Sequence, residues 1–142
     1  MKMTTIKKIL CITALLPLIF LTACKNDNGM EPVVEKGEKV MYQQITPKEA
    51  KEIMDGGESH TILDVRDQEE FDEGHIPGAM LLPYTEIESK AEKFLPDKNA
   101  QILVYCRSGR RSKIAAESLV ALGYTNVKEF GGIIDWPYET EN

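Results

Sequence analysis

The residues best suited to do chemistry are concentrated in one short stretch, residues 105–112, which reads YCRSGRRS. The chain has four arginines in all, and three of them follow Cys106 within five positions: Arg107, Arg110 and Arg111. A thiol beside permanent cations and a helix N-terminus is stabilised as the nucleophilic thiolate. Planar guanidinium groups also bind oxyanions. The stretch therefore predicts a reactive cysteine that receives a small anionic substrate.

The elements that must position this stretch follow from the hydrophobic pattern. Apolar runs typical of buried strands occupy residues 60–66, 79–83 and 100–105, and further strands are predicted at residues 40–45 and 126–130. Residues 46–57 read as a helix, with Thr46 as N-cap, Pro47 in the first turn and Glu49 completing a capping box. Residues 111–123 read as a second helix with Ile114 on its apolar face. This alternation predicts an α/β fold, with a mainly parallel sheet covered by helices on both faces.

The predicted fold places the cysteine at the ligand-binding edge. Ligands of such sheets bind at the carboxyl ends of the strands. Cys106 is the first residue after the predicted strand, and the next helix begins by about Ser112. The loop between them has backbone N–H groups that can surround an anion, aided by the positive end of the helix. Gly109 can adopt the positive φ that lets these groups converge.

The N-terminal residues read as a bacterial export signal. Residues 9–23 form an apolar run of fifteen after a lysine-rich start, too short for a spanning helix and typical of a signal peptide. The run ends in LTAC, which resembles the lipobox of bacterial lipoproteins, so residues 1–23 are expected to be removed and Cys24 lipidated. The alternative is an uncleaved N-terminal anchor. Both interpretations place the domain outside the cytoplasm, on the outer face of a membrane.

Composition and charge limit what the exported chain can do. The 142 residues suffice for one domain, which we assign to residues 40–142, after a polar, flexible linker at residues 24–39. The net charge is −6, and loss of residues 1–23, which hold three lysines and no acid, takes it to −9. Nucleic acid is therefore excluded as a partner. Processing would also leave Cys106 as the one free thiol.

Three segments in order resemble the signature regions of the rhodanese family of sulfurtransferases. They are LDVRDQEEFDEGHIPGAMLLP, VYCRSGRRS and GGIIDW, within residues 44–136. The resemblance implies a single three-layer domain around a parallel sheet of about five strands. It makes Cys106 the nucleophile that carries transferred sulfur. The resemblance also implies that a cradle surrounds the sulfur and that further side chains support its loops: Arg107, Ser108, Gly109, Arg110 and Arg111 in the cradle, and Asp64, Arg66 and Glu70 in support.

The chemistry implied by the resemblance is a two-step sulfur exchange. The Cys106 thiolate takes a sulfane sulfur from a small anionic donor such as thiosulfate, and a thiol or cyanide acceptor removes it, giving ping-pong kinetics. We expect a monomer, with a protein sulfur-relay partner as a further option. No metal or organic cofactor is expected, because His60 and His75 are too few and too far apart in sequence for a metal cluster.

Two alternatives remain open from the sequence. Cysteine phosphatases and some arsenate reductases use a related loop with Cys-x5-Arg spacing, whereas Cys106 and Arg111 have the Cys-x4-Arg spacing. The shorter loop favours a sulfur atom over a phosphate group. Alternatively, the domain is a non-catalytic binding module of the same family. The intact cysteine argues against this alternative, since inactive family members typically lack it.

Overall fold

A computed structural model describes residues 30–35 and 38–142 of the chain, with side chains from residue 41 onward. Within this part, one sheet has helices packed against it. Its strands are β1 (Met30–Glu35), β2 (Glu38–Gln44), β3 (His60–Asp64), β4 (Met80–Leu81), β5 (Gln101–Cys106) and β6 (Val127–Gly132). The helices are α1 (Pro47–Asp55), α2 (Gln68–Glu73), α3 (Ile87–Phe94) and α4 (Arg110–Ala121), with 3-10 turns at Tyr84–Glu86 and Ile133–Asp135.

The sheet confirms the predicted α/β class. Its strand order is β1-β2-β6-β5-β3-β4. The last five strands of this order, β2, β6, β5, β3 and β4, are parallel to one another. β1 pairs antiparallel with β2 at the edge of the sheet. β5 lies in the interior of this order, and all six of its residues are buried. The cysteine at its end is therefore held by a strand that is paired on both sides.

The structure differs from the sequence prediction at the expected linker, residues 24–39. Met30–Glu35 forms β1, and β2 begins at Glu38 rather than at residue 40. The segment contains β-branched valines at positions 33 and 34, and pairing with β2 outweighs its polar composition. Pro32 is compatible with this strand because an edge strand leaves one row of backbone groups unpaired. Residues 1–29, which include Cys24 and the predicted signal peptide, lie outside the described residues.

Two cores, one on each face of the sheet, hold the layers together. One contains Val104 and Cys106 of β5 with Leu119 of α4, and the other contains Tyr105 with Trp136. Successive strand residues point to opposite faces, so β5 contributes to both cores. Among the described helices, none is both long and apolar enough to cross a membrane.

The helices agree with the sequence analysis in part. α1 has the predicted capping box, in which Thr46 and Glu49 satisfy each other's backbone N–H groups. Ile114 was assigned to the apolar face of α4 but is 38% exposed, because the buried face of α4 is formed instead by smaller residues and leucine. α2 and α3 were not predicted. α2 begins with its own capping box between Asp67 and Glu70.

Candidate active site

The reactive cysteine is the last residue of the central strand. The sequence places Cys106 just after the strand and the start of the helix near Ser112; in the structure Cys106 belongs to β5 and α4 begins at Arg110. Gly109 makes the sharp turn possible, because as N-cap of α4 it adopts φ 95°, in the left-handed region that favours glycine. Its N–H group donates a hydrogen bond of 3.1 Å to the Cys106 sulfur. The loop thus folds back over the thiol, which is 1% exposed.

Hydrogen-bond donors of the loop control the ionisation of this thiol. Burial on its own raises the pKa of Cys106. Hydrogen bonds available from the Ser112 hydroxyl and from the backbone N–H groups of Ser112, Ser108 and Gly109 outweigh burial, so the pKa lies below its ordinary value. From the sequence, this role is predicted for the helix N-terminus together with the adjacent arginines. In the structure, a hydroxyl and the amides at the start of a helix carry most of it.

A second backbone segment supports the loop from the side of β6. Between β5 and β6 the pairing shifts, so that Val104 faces Glu129 but Cys106 faces Gly132. This bulge places Gly132 directly under the loop: a Cβ on Gly132 would lie 2.2 Å from the carbonyl oxygen of Arg107. The Arg107 carbonyl also accepts a hydrogen bond of 3.2 Å from the N–H group of Ile134. Bulges commonly re-aim the chain beside active sites, as this one does.

Arg111 is committed to an ion pair within the protein. Its Nη1 and Nη2 atoms donate to the two carboxylate oxygens of Glu70 at 2.6 and 2.7 Å. Both side chains are only 19% exposed. Hydrogen bonding from Arg111 is the largest influence on Glu70 and lowers its pKa to about 2. The pKa of Arg111 is raised, chiefly by Glu70 and to a smaller extent by the charge of Cys106. The pair ties the start of α4 to α2.

The other two arginines are differently placed. Arg107 and Arg110 are exposed to solvent. Within residues 41–142, neither takes part in an ion pair. Ser108, between them, is also exposed. The sequence predicts one role for all three arginines, whereas in the structure Arg111 is paired with Glu70 and the other two are exposed to solvent.

Asp64, the last residue of the neighbouring strand β3, and Arg66, two residues further on, form a buried ion pair. Both are buried, and the Arg66 guanidinium donates to both Asp64 oxygens at 2.7–3.0 Å. Arg66 also donates 2.7 Å to the carbonyl of Gly74, just past the end of α2. Through this contact, the two predicted supporting residues, Asp64 and Arg66, hold the end of the helix that carries Glu70.

Burial and the nearby Asp64 charge raise the pKa of Tyr105 well above its usual range, so its phenol stays neutral.

Two buried residues behind the loop, Ser112 and Glu129, were not predicted from the sequence to belong to the site. The Ser112 hydroxyl donates 2.6 Å to the Glu129 carboxylate, which is fully buried in β6. Glu129 also accepts from the Gly131 N–H group at 2.8 Å and from the Gln44 side chain at 3.1 Å. One signal was present: Glu129 is two residues after Val127 in a predicted strand, so both side chains point to the same buried face.

The arrangement suits nucleophilic chemistry at sulfur. A thiol of lowered pKa has backbone donors of the loop around it, and two exposed arginines, Arg107 and Arg110, lie within four residues of it in the sequence. A thiolate of this kind attacks an electrophilic sulfur, and the same donors stabilise the anion formed. Residues 41–142 contain no cluster of three or more histidine, cysteine or acidic side chains suited to hold a metal ion.

Fold and site together define an α/β domain that holds a cysteine thiol of lowered pKa at the carboxyl end of a parallel sheet. The model for the rhodanese-like domain matches residues 46–137, and the chain belongs to this family. It is 37% identical to the thiosulfate sulfurtransferase GlpE of Coxiella burnetii, over 68% of this chain and 89% of that protein. It is also 37% identical to YrkF of Bacillus subtilis, provisionally named a sulfur carrier protein, over 69% of this chain.

The chain covers different shares of the length of its relatives. The chain spans about half of YrkF, 52% of its length. Among solved structures, one described as "rhodanese with anions from E. coli" superposes with a TM-score of 0.56 at 34% identity. That match covers 59% of this chain and 99% of the other. The similarity to relatives named thiosulfate sulfurtransferase places the chain among rhodanese-like sulfurtransferase homologues.

Proposed function

We propose that the protein is a sulfurtransferase that carries sulfur as a persulfide on Cys106. The thiolate attacks the outer sulfur of a donor such as thiosulfate, the S–S bond of the donor breaks, and sulfite leaves with the bonding electrons. A thiolate acceptor or cyanide then attacks the outer sulfur of the persulfide, and Cys106 leaves as a thiolate. Each half-reaction balances without an oxidant, and the two together give ping-pong kinetics.

The observation that carries the proposal is the environment of the sulfur. Cys106 is buried, yet its pKa lies below the ordinary value because the Ser112 hydroxyl and backbone N–H groups of the loop offer hydrogen bonds to it. These groups would equally hold the terminal, negatively charged sulfur of a persulfide. Arg107 and Arg110 are placed to attract the sulfonate end of the donor. The names of GlpE and YrkF, a thiosulfate sulfurtransferase and a provisional sulfur carrier, support the same chemistry and a role in sulfur relay.

The proposal is tested by steady-state kinetics with thiosulfate and cyanide. The wild-type protein should form thiocyanate with parallel double-reciprocal lines, as expected of a covalent intermediate. The variant Cys106→Ser should form none while it unfolds at the same temperature as the wild type. Thiocyanate formation by Cys106→Ser at the wild-type rate would refute the assignment of Cys106.

We further propose that the domain is held on the outer face of a bacterial membrane through Cys24. The proposal is based on the signal-like residues 1–23 and the LTAC sequence that ends at Cys24. Two or more acyl chains give stable attachment, where a single chain gives only marginal binding. When the full chain is expressed in a bacterium, the Cys24→Ser variant should either be absent from the membrane fraction or keep an unprocessed N-terminus. A membrane-bound, fully processed Cys24→Ser protein would contradict the lipid anchor.

A further inference from the structure

Residues 140–142, which we call the C-terminal strap, are bonded to the segment that follows α2. Glu141 forms an antiparallel bridge with His75. The Glu141 N–H group donates to the His75 carbonyl, and the His75 N–H group donates to the Glu141 carbonyl, both at 2.8 Å. The Glu141 carboxylate also accepts a hydrogen bond of 3.0 Å from the Gly78 N–H group. Backbone and side chain of Glu141 thus hold residues 74–78 together.

The position of α2 depends on this segment. None of the six residues of α2 is buried, so packing in a core does not fix the helix. Contacts at its C-terminal end hold it instead. Phe71 stacks on the ring of His75, with the ring centroids 3.7 Å apart, and the Gly74 carbonyl accepts from Arg66 at 2.7 Å. Because the strap fixes His75, it is one of the few groups that hold α2, and helices with so little burial open easily.

α2 in turn holds the start of α4, which follows the active-site loop. Two acidic side chains pair with Arg111 among residues 41–142, and both belong to α2 or its N-cap: Glu70 at 2.6 Å and Asp67 at 3.7 Å. Arg111 is the second residue of α4. The N-cap of α4, Gly109, donates a hydrogen bond of 3.1 Å from its N–H group to the Cys106 sulfur. A movement of α2 therefore shifts both partners of Arg111 and reaches the loop over the thiol.

We propose that Glu141 is a positioning residue for the sulfur transfer: it fixes α2 through His75, and α2 holds Arg111 and the loop in place. The inference rests on the sulfurtransferase function proposed above. Without the strap, α2 moves more freely, the bidentate pair between Glu70 and Arg111 weakens, and the loop opens more often. The thiol of Cys106, which is 1% exposed, then becomes more accessible, while the backbone N–H groups that stabilise its anion are less well placed.

The test compares the wild type with a chain shortened to end at Glu139, which lacks the strap. We expect kcat/KM for thiocyanate formation from thiosulfate and cyanide to fall about fivefold, the size of a typical coupling through packed elements. The conservative variant Glu141→Gln keeps the backbone bridge and an oxygen that accepts from Gly78, so it should stay within about twofold of the wild type. Glu139→Ala is the matched control, because it removes one exposed charge from the same segment and leaves the strap intact.

A double-mutant cycle separates this role from a general loss of stability. Glu70→Gln weakens the pair with Arg111 directly. If the strap acts through this pair, its removal in the Glu70→Gln background should lower kcat/KM by less than about twofold. An equal fold-loss in both backgrounds would overturn the proposal, as would a shortened chain whose kcat/KM equals that of the Glu139→Ala control.

Two further measurements need no sulfur donor. Hydrogen exchange should show lower protection of α2 in the shortened chain, with the strands unchanged. Alkylation of Cys106 by iodoacetamide, measured at a pH where the thiol is fully ionised, should become faster, because the buried thiol reacts only when the loop opens. Absence of thiocyanate formation by the wild type would refute the function proposed above. Unchanged exchange of α2 and an unchanged alkylation rate in the shortened chain would refute the role of Glu141 itself.

Discussion

The close approach of Gly132 to the active-site loop gives a prediction whose size follows from the geometry. Gly132 has φ −119°, which any residue can adopt, so backbone strain does not explain a glycine here. A Cβ at this position would lie 2.2 Å from the Arg107 carbonyl oxygen and 2.6 Å from Ser108 Cα. Real Cβ contacts are essentially never under 3.0 Å. In Gly132→Ala, the loop and β6 must therefore move apart by about 1 Å, and such a displacement costs about 100-fold in rate.

The assay measures kcat/KM for thiocyanate formation together with the alkylation rate of Cys106. Both should fall in Gly132→Ala, because the moved segment carries the N–H groups that lower the thiol pKa. Overpacking should also cost about 1–3 kcal/mol of stability. A matched control is Gly56→Ala, at φ −72° after α1, where the nearest contact is 3.1 Å. A kcat/KM of Gly132→Ala within about threefold of the control would contradict this prediction, since a displacement of about 1 Å predicts a loss of about 100-fold.

Two further predictions concern charged side chains around the loop. Glu70→Gln removes the charge from the bidentate pair with Arg111 and should lower the stability at pH 7 by about 1–2 kcal/mol, measured by urea unfolding. The pKa of Glu70 is lowered to about 2 in the folded protein. The difference in free energy of unfolding between wild type and variant should therefore have its full value above about pH 5 and shrink as the pH falls toward 2. A difference that stays constant over this range would contradict the prediction. Replacing Arg107 and Arg110 together by alanine should raise KM for thiosulfate about tenfold at low salt and leave alkylation by neutral iodoacetamide unchanged. Lys93→Ala, which removes an exposed positive charge from α3, serves as the control. If KM for thiosulfate rose equally in this variant, the effect of the two arginines would be one of net charge and not of binding at the loop.

The parallel sheet and the cysteine at its carboxyl edge could be predicted from the sequence, because both depend on local patterns. Buried strands read as apolar runs, and the capping box of α1 is visible in residues 46–49. The same local signal, Asp67 followed by Glu70, marks the start of α2 but was not used. The edge strand β1 was missed, since its pairing with β2 outweighs a polar composition that on its own indicates a linker.

The division of labour among the arginines could not be predicted in the same way. Arg111 and Glu70 are 41 residues apart, and only the fold shows that one charge neutralises the other. The contact between Ser112 and Glu129 is likewise a product of packing α4 on β6. A charge count predicts an anion site, but it does not show which cations are already paired. The roles of the cradle residues therefore stay predictions, now with a stated partner for Arg111.

The most direct test of the account is the intact mass of the purified protein after incubation with thiosulfate. We predict a gain equal to one sulfur atom, on the peptide that contains Cys106, lost on treatment with a small thiol and absent in Cys106→Ser. This result would demonstrate the persulfide that the loop donors are placed to hold. An unchanged mass, from a protein whose Cys106 is shown by alkylation to be free and reactive, would contradict thiosulfate as the sulfur donor and the central claim with it.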